Sequence, residues 1–285
     1  MCGIYGYIGK PKDKSKVFRL MKTLAVLTET RGIDGTGFFA LTDSELITEK
    51  CDIRAKEFIR VSKLMKRAIV DENAEVFVGH NRKASLGAIN LRNTHPFVGD
   101  RYAMVHNGTF GETAFKLAGK HRVKCKMEGE TDSEAMLRVF DKIGFSAKTL
   151  KKLDCYSLVI LDYTTRQIFF ARDNQRPIVI YDLRASLGIR VFASTYDIAE
   201  AAFEYLELDF ENVFKTKAWH LYTFDIESGE AENLGRYYTP PTSPKPKLVR
   251  ATNFGRRGYA APGTEEELTI HNPNRVRRAL IVYGD

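Results

Sequence analysis

Hydrophobic positions along the chain follow two different periods. In Ser15–Thr30 the apolar residues Val17, Leu20, Met21, Leu24 and Leu27 recur at intervals of three and four, which predicts an amphipathic helix. Phe58–Val70 predicts a second helix and Tyr196–Leu206 a later one. Thr131–Ile143 predicts a capped helix, with a Thr-Asp start and an apolar face of Ala135, Met136, Val139 and Phe140. The remaining apolar segments are short and strand-sized: Cys2–Ile8, Gly37–Leu41, Glu45–Thr48, Glu75–Val78, Tyr102–Val105, Tyr156–Leu161, Gln167–Ala171, Pro177–Tyr181, Arg190–Ala193 and Trp219–Phe224. Strands in hairpin-like succession, with helices gathered in a few blocks, predict a layered α+β fold rather than βαβ winding. No GxGxxG or P-loop follows a strand, so nothing supports a nucleotide-binding fold.

Composition narrows the class. Hydrophobic residues make up 44% and charged residues 28%, as in a soluble globular protein. The longest apolar runs, Tyr156–Asp162 and Ala279–Tyr283, are far short of the roughly 18 residues a membrane helix needs. The four cysteines form no CxxC pair and the start MCGIYGYIGK lacks a signal peptide's apolar stretch, so a reduced, cytoplasmic protein is expected. The net charge of +8 is uneven: residues 236–285 hold nine Lys and Arg against four Asp and Glu. The same stretch carries Pro240-Pro241-Thr242-Ser243-Pro244-Lys245-Pro246, which reads as a semi-rigid linker. The expected division is therefore a domain over 1–236 and a basic, Pro-rich tail over 237–285, with Arg275–Tyr283 as a possible last strand docking back. Such a tail suits an acidic partner, a nucleic acid or simple solubility. No recognition motif accompanies the nucleic-acid reading.

Four features can carry chemistry. Removal of Met1 would make Cys2 the first residue, joining a thiol of pKa about 8.5 to an α-amine of about 7.7–8.0 in one nucleophile–base unit. An inert second residue is the plain alternative. His106-Asn107-Gly108 follows a strand, where the Asn amide and the Gly N–H can stabilise an oxyanion, or merely turn a hairpin. Arg82 can clamp a carboxylate or serve a structural salt bridge. Asp132, at a helix start, can bind an ammonium or complement the helix dipole. Together, Arg82 and Asp132 offer what a free α-amino acid requires.

These residues lie within a longer series: Cys2-Gly3-Ile4-x-Gly6, Arg31-Gly32-Ile33-Asp34-Gly35-Thr36-Gly37, Gly79-His80-Asn81-Arg82-Lys83-Ala84-Ser85, Asn93-Thr94-His95-Pro96-Phe97, His106-Asn107-Gly108-Thr109, Glu130-Thr131-Asp132-Ser133-Glu134, Arg172-Asp173-Asn174-Gln175-Arg176-Pro177 and Ala193-Ser194-Thr195. In content and order the series resembles the class II glutamine amidotransferases, which have N-terminal nucleophiles. The resemblance is nearest to the glutaminase domain of glucosamine-6-phosphate synthase, with amidophosphoribosyltransferase next.

The resemblance implies a four-layer αββα sandwich of the N-terminal-nucleophile hydrolase type. It implies Cys2 as nucleophile, Asn107 and Gly108 as oxyanion hole, Arg82 with Ser85 on the glutamine carboxylate, and Asp132 on its amine. Arg31 would order the nucleophile's surroundings, and His80, His95 and His106 would shape the site. Neither cofactor nor metal is implied. Lys83, Ser85 and Leu86 depart from the family's usual choices, and no acceptor-binding synthase domain is expected in this chain. A separate ammonia-accepting synthase or ligase is therefore the expected partner, with glutamine as substrate and no membrane. Three alternatives remain: an amidase for another glutamyl or acyl amide, a catalytically silent scaffold, and a nucleic-acid-binding protein on the same fold.

Overall fold

A computed structural model describes residues 1–153 and 155–238. The Pro-rich segment and the strand expected at Arg275–Tyr283 lie outside the described residues. Contacts divide the chain into Met1–Pro240 and Pro241–Asp285, and only the first unit is described below.

Two antiparallel sheets form the body. One has seven strands in the order β11 (Asn212–Lys215), β9 (Val179–Leu183), β10 (Ile189–Ala193), β1 (Gly3–Gly9), β4 (Val76–Asn81), β2 (Thr36–Leu41) and β3 (Leu46–Cys51). The other has six: β13 (Ala231–Arg236), β12 (His220–Asp225), β8 (Gln167–Arg172), β7 (Tyr156–Asp162), β6 (Tyr102–Gly108) and β5 (Phe97–Val98). The helices are α1 (Lys14–Leu27), α2 (Ala55–Val61), the short α3 (Leu64–Lys66), α4 (Gly111–Lys120), α5 (Asp132–Ile143), the one-turn α6 (Ala147–Leu150) and α7 (Arg184–Leu187), and α8 (Tyr196–Tyr205).

Strand alternation sorts side chains into three apolar layers. Tyr5 and Tyr7 of β1 join Val17, Leu20 and Leu24 of α1 and Ala199 and Phe203 of α8 on the outside of the first sheet. Ile4 and Ile8 of β1 join Val76 and Val78 of β4 and meet Val105, Val159 and Phe170 between the sheets. Met104, Leu158 and Ile160 pack against Ala135, Met136, Val139 and Phe140 outside the second sheet. Three interfaces make four layers, helix–sheet–sheet–helix. Most strands bury both faces, which is why their sequences are nearly continuous in apolar residues.

Local chemistry sets the helix starts. Asp13 accepts from the Lys16 N–H at 2.9 Å, and Thr131 caps the Glu134 N–H at 3.3 Å. One expectation is corrected. Phe58–Val70 is not one helix: α2 begins at Ala55 and stops after Val61, where Ser62 turns extended at ψ 114. The Ser62 hydroxyl then caps the Met65 N–H at 3.1 Å and starts a new segment, which ends in a π turn over Arg67–Asp71. Six of the elements named above were not anticipated: α4, α6, α7, β5, β11 and β13.

Candidate active site

The motif residues gather at one end of the sandwich. Gly3 pairs with Asn81, so Cys2 sits beside the end of β4, where Arg82 and Lys83 follow. Cys2 has the parity of Ile4, His80 that of Val78, and Asn107 that of Val105. All three therefore belong to the layer between the sheets.

The surroundings of Cys2 are held by main-chain bonds. The Lys83 N–H donates to Sγ at 3.3 Å, and Sγ lies 3.4 Å from the Lys83 carbonyl. Arg31 Nε donates to the Cys2 carbonyl at 2.8 Å. The loop after α1 is zipped to the same segment: Asp34 N–H to Arg82 O at 2.9 Å, Arg82 N–H to Gly35 O at 2.7 Å, and Ala84 N–H to Asp34 Oδ2 at 2.9 Å. Gly32 permits this approach, since a Cβ there would stand 2.5 Å from the Arg82 carbonyl. Burial pushes the Cys2 thiol up. The Lys83 N–H and the positive charges of the chain terminus, Arg82 and Arg31 act the other way.

Asn107 and Gly108 close β6, paired with Ser157 and Tyr156. The Asn107 side chain is buried, and among the described residues its Nδ2 has no hydrogen-bond partner. A buried donor without an acceptor typically costs about 1–3 kcal/mol, a cost that an incoming oxyanion would relieve. Gly108 has φ +141, and a Cβ there would lie 1.8 Å from the Cys155 carbonyl, so no other residue fits.

Arg82 is buried. Its guanidinium donates to the carbonyls of Leu86 and Ala88 at 2.9 Å and of Gly87 at 3.4 Å. Among the described residues no carboxylate pairs with it, so its charge is oriented but not neutralised. Ser85, in the same loop, is exposed. Asp132 opens α5 and accepts from the Gly111 N–H at 2.8 Å. Burial raises its pKa, and the N–H groups of Gly111, Phe110 and Ser133 oppose the rise. It serves the helix end already, with charge remaining for a cation.

The three histidines lie beneath this surface rather than on it. His80 Nε2 donates to the His106 carbonyl at 3.1 Å, and a carbonyl only accepts, which fixes the His80 tautomer. His106 stacks on Phe110 at 3.8 Å and its Nδ1 meets the Ser133 hydroxyl at 2.8 Å. The His95 ring lies 4.1 Å from that of His80. Burial drives His80 and His106 down to about 3, and His95 well below its ordinary value. They are neutral structural links. The His80–His106 bond ties the sheet bearing Cys2 to the strand bearing Asn107.

Sequence reasoning left four contributors without a role. Asp34 and the Lys83 main chain position the thiol, and Ser133 orients His106. Arg176, bonded to Asp173, adds a cation whose field reaches both Arg31 and His106. Asp34, Ser133 and Arg176 stand inside the quoted motifs, which was the available signal.

Residues 1–158 match the family described as glutamine amidotransferases class-II. The glutamine–fructose-6-phosphate aminotransferase (isomerizing) of Listeria monocytogenes is 27% identical over 251 residues, covering 83% of this chain and 38% of that protein. The enzyme of the same name from Caulobacter vibrioides is 30% identical over 165 residues, covering 56% of this chain and 25% of that one. The chain thus spans well under half the length of these curated relatives. Among solved structures, the glutamine phosphoribosylpyrophosphate amidotransferase of B. subtilis superposes with a TM-score of 0.62 at 18% identity, over 83% of this chain and 49% of that one, which supports the fold. With more than half of its residues inside the family match and the motifs in order at one end of the sandwich, the chain belongs to the class II glutamine amidotransferases.

Proposed function

We propose that this chain is a glutaminase subunit that splits the side-chain amide of glutamine and passes the ammonia to a separate synthase or ligase. The observation that carries this reading is the unpartnered Asn107 amide, in the same layer and at the same end of the sandwich as the clamped Cys2 thiol.

Removal of Met1 places an α-amine on Cys2. The amine takes the thiol proton and the sulfur attacks the amide carbon of glutamine. Asn107 Nδ2 and the Gly108 N–H hold the oxyanion. The protonated amine gives its proton to the departing NH2 group, which leaves as ammonia. Water, deprotonated by the same amine, then opens the thioester and releases glutamate. Arg82 and Ser85 receive the substrate carboxylate and Asp132 its ammonium, while Arg31 holds the Cys2 main chain. His106 supports this arrangement from below.

Ammonia in water is lost as ammonium, so a consumer must sit close by. Ile33, Leu86, Ile89 and Leu91 are exposed on the two loops flanking Cys2, an apolar rim suited to a partner that keeps the passage dry. The basic segment 237–285 is a second docking element in this reading. Among the described residues no helix is long and apolar enough to cross a membrane.

Intact-mass spectrometry before and after treatment with a diazo-ketone norleucine tests the proposal. Loss of Met1 and one adduct on Cys2 are expected. Full glutaminase activity in Cys2→Ala would overturn it.

A further inference from the structure

An asparagine amide carries two N–H donors, and an oxyanion at Cys2 would take only one of them from Asn107. The second needs an acceptor of its own in a buried layer. Across the β6–β7 ladder Asn107 stands opposite Ser157. Ser157 has the parity of Val159, so its side chain enters the same layer between the sheets as those of Asn107 and Cys2. It is 1% exposed, and among the described residues its Oγ has no hydrogen-bond partner. Native folds rarely leave a buried hydroxyl in that state, which costs stability.

Building on the glutaminase activity proposed above, we infer that Ser157 is a positioning residue for the oxyanion donor. Its Oγ accepts the second Asn107 Nδ2 hydrogen and thereby turns the first toward the oxyanion. The register brings the two groups within reach. The Thr109 N–H donates to the Cys155 carbonyl at 2.8 Å, and bonded pairs recur at every second residue, so Asn107 and Ser157 are a bonded pair as well. Side chains of directly opposed residues share one face, with Cβ atoms about 5.5 Å apart. From there a staggered χ1 turn of Ser157 carries Oγ to the amide. The two N–H bonds of an amide diverge in one plane. Fixing one along the sheet aims the other across the layer, toward the sheet that carries Cys2. On its far side Ser157 faces Arg172, whose guanidinium donates to the carbonyls of Thr216 and Asp173.

A positioning hydroxyl and a structural one respond in opposite ways to removal. A serine that holds the fold together loses stability as alanine. Ser157→Ala deletes a group that the resting fold leaves unpaired, so the melting temperature should hold or rise, by up to about 4 °C. Turnover should fall, because the amide loses its orientation. Deleting an oxyanion donor costs about 10²–10³-fold, and misaligning one should cost about tenfold in kcat. The KM for glutamine should stay unchanged, since the oxyanion exists only beyond the ground state.

Glutamate release and thermal unfolding of the full chain test this in four proteins: wild type, Ser157→Ala, Asn107→Ala and the double variant. In the Asn107→Ala background Ser157→Ala should change kcat by less than about twofold, because it acts only through that amide. Wild-type turnover in Ser157→Ala beside a slow Asn107→Ala would overturn the inference and leave the glutaminase mechanism standing. An equal loss in both backgrounds would do the same, as would a Ser157→Ala chain that melts below wild type. A wild type that releases no glutamate, or an Asn107→Ala variant as fast as wild type, would overturn the proposed mechanism and the role of Ser157 with it.

Discussion

Lowering the pH from 7 to 5 should remove a large part of the stability of this fold, because buried histidines are kept neutral in it. His80 and His106 titrate near 3 in the folded chain against an ordinary 6.5. Each ring has one nitrogen engaged, His80 with the His106 carbonyl and His106 with Ser133, and one with no partner. A proton on the second nitrogen would bury a charge beside Arg82 or Arg176, a cost that the Cys155 carbonyl beside His106 offsets only in part. Folding thus prefers the unprotonated form. Below 6.5 the unfolded chain binds protons that the folded chain refuses, so stability falls as the pH falls. At pH 5 the linkage is worth about 2 kcal/mol for each ring, so about 4 kcal/mol for the two. His95 adds to the loss in the same direction. Typical domains hold about 5–15 kcal/mol in all, so the effect is large. The carboxylates held low by arginine partners, Asp162 and Asp182, lose their contribution only at more acid pH. Those raised by burial, Asp132 and Asp141, act in the opposite sense. Urea unfolding at pH 7 and pH 5 measures the sum, and His80→Asn isolates one ring by flattening the slope across that range by about 1 kcal/mol per pH unit. A wild-type loss below about 1 kcal/mol, or a His80→Asn slope as steep as wild type, would refute the buried-neutral picture.

Other substitutions separate the proposed roles. Asn107→Ala should lower the kcat of glutaminase turnover by about 10²–10³-fold and leave KM nearly unchanged, read by glutamate release. Gly108→Ala forces a Cβ onto the Cys155 carbonyl at an unfavourable φ and should lower the melting temperature as well as abolish activity, checked by circular dichroism. Arg82→Lys loses the fork that spans Leu86 and Ala88, and should raise the KM for glutamine more than about tenfold in the same assay. Asp34→Asn weakens the hold on Ala84 and Lys83 and should slow diazo-ketone labelling of Cys2, followed by mass spectrometry, with the fold intact.

The parts that sequence exposed are those in which a side chain announces its environment. α1 and α5 were readable because their buried residues are large and recur at helical spacing. α4 escaped because its fully buried residues are the small Ala114 and Ala118, with Phe115 and Leu117 only half-buried beside them, so its apolar stripe is short. β11 has no inside and outside to alternate between, since all four residues are exposed. The same division runs through the candidate site. Cys2, Arg82, Asn107 and Asp132 were named from their chemistry and order. The Lys83 groups that hold the thiol are main-chain atoms, which carry no residue identity to read. Phe58–Val70 misled because its apolar spacing carries across Ser62, whose hydroxyl stops one helix and begins the next.

The bond between His80 and the His106 carbonyl makes the thickness of the sandwich a gauge. Cys2 rides on one sheet and Asn107 and Gly108 on the other, so their separation is whatever the filling between the sheets allows. Phe39, Phe170 and Phe192 are fully buried parts of that filling, and none belongs to a recognised motif. A methylene added or lost there would act like a shim, opening or closing the gap across which the thiol must reach. A misplacement of about 1 Å can cost about a hundredfold in rate. Ordinary core packing in this protein thereby becomes a tuning element for chemistry, and drift in its inner phenylalanines would register as changed turnover before it registered as unfolding.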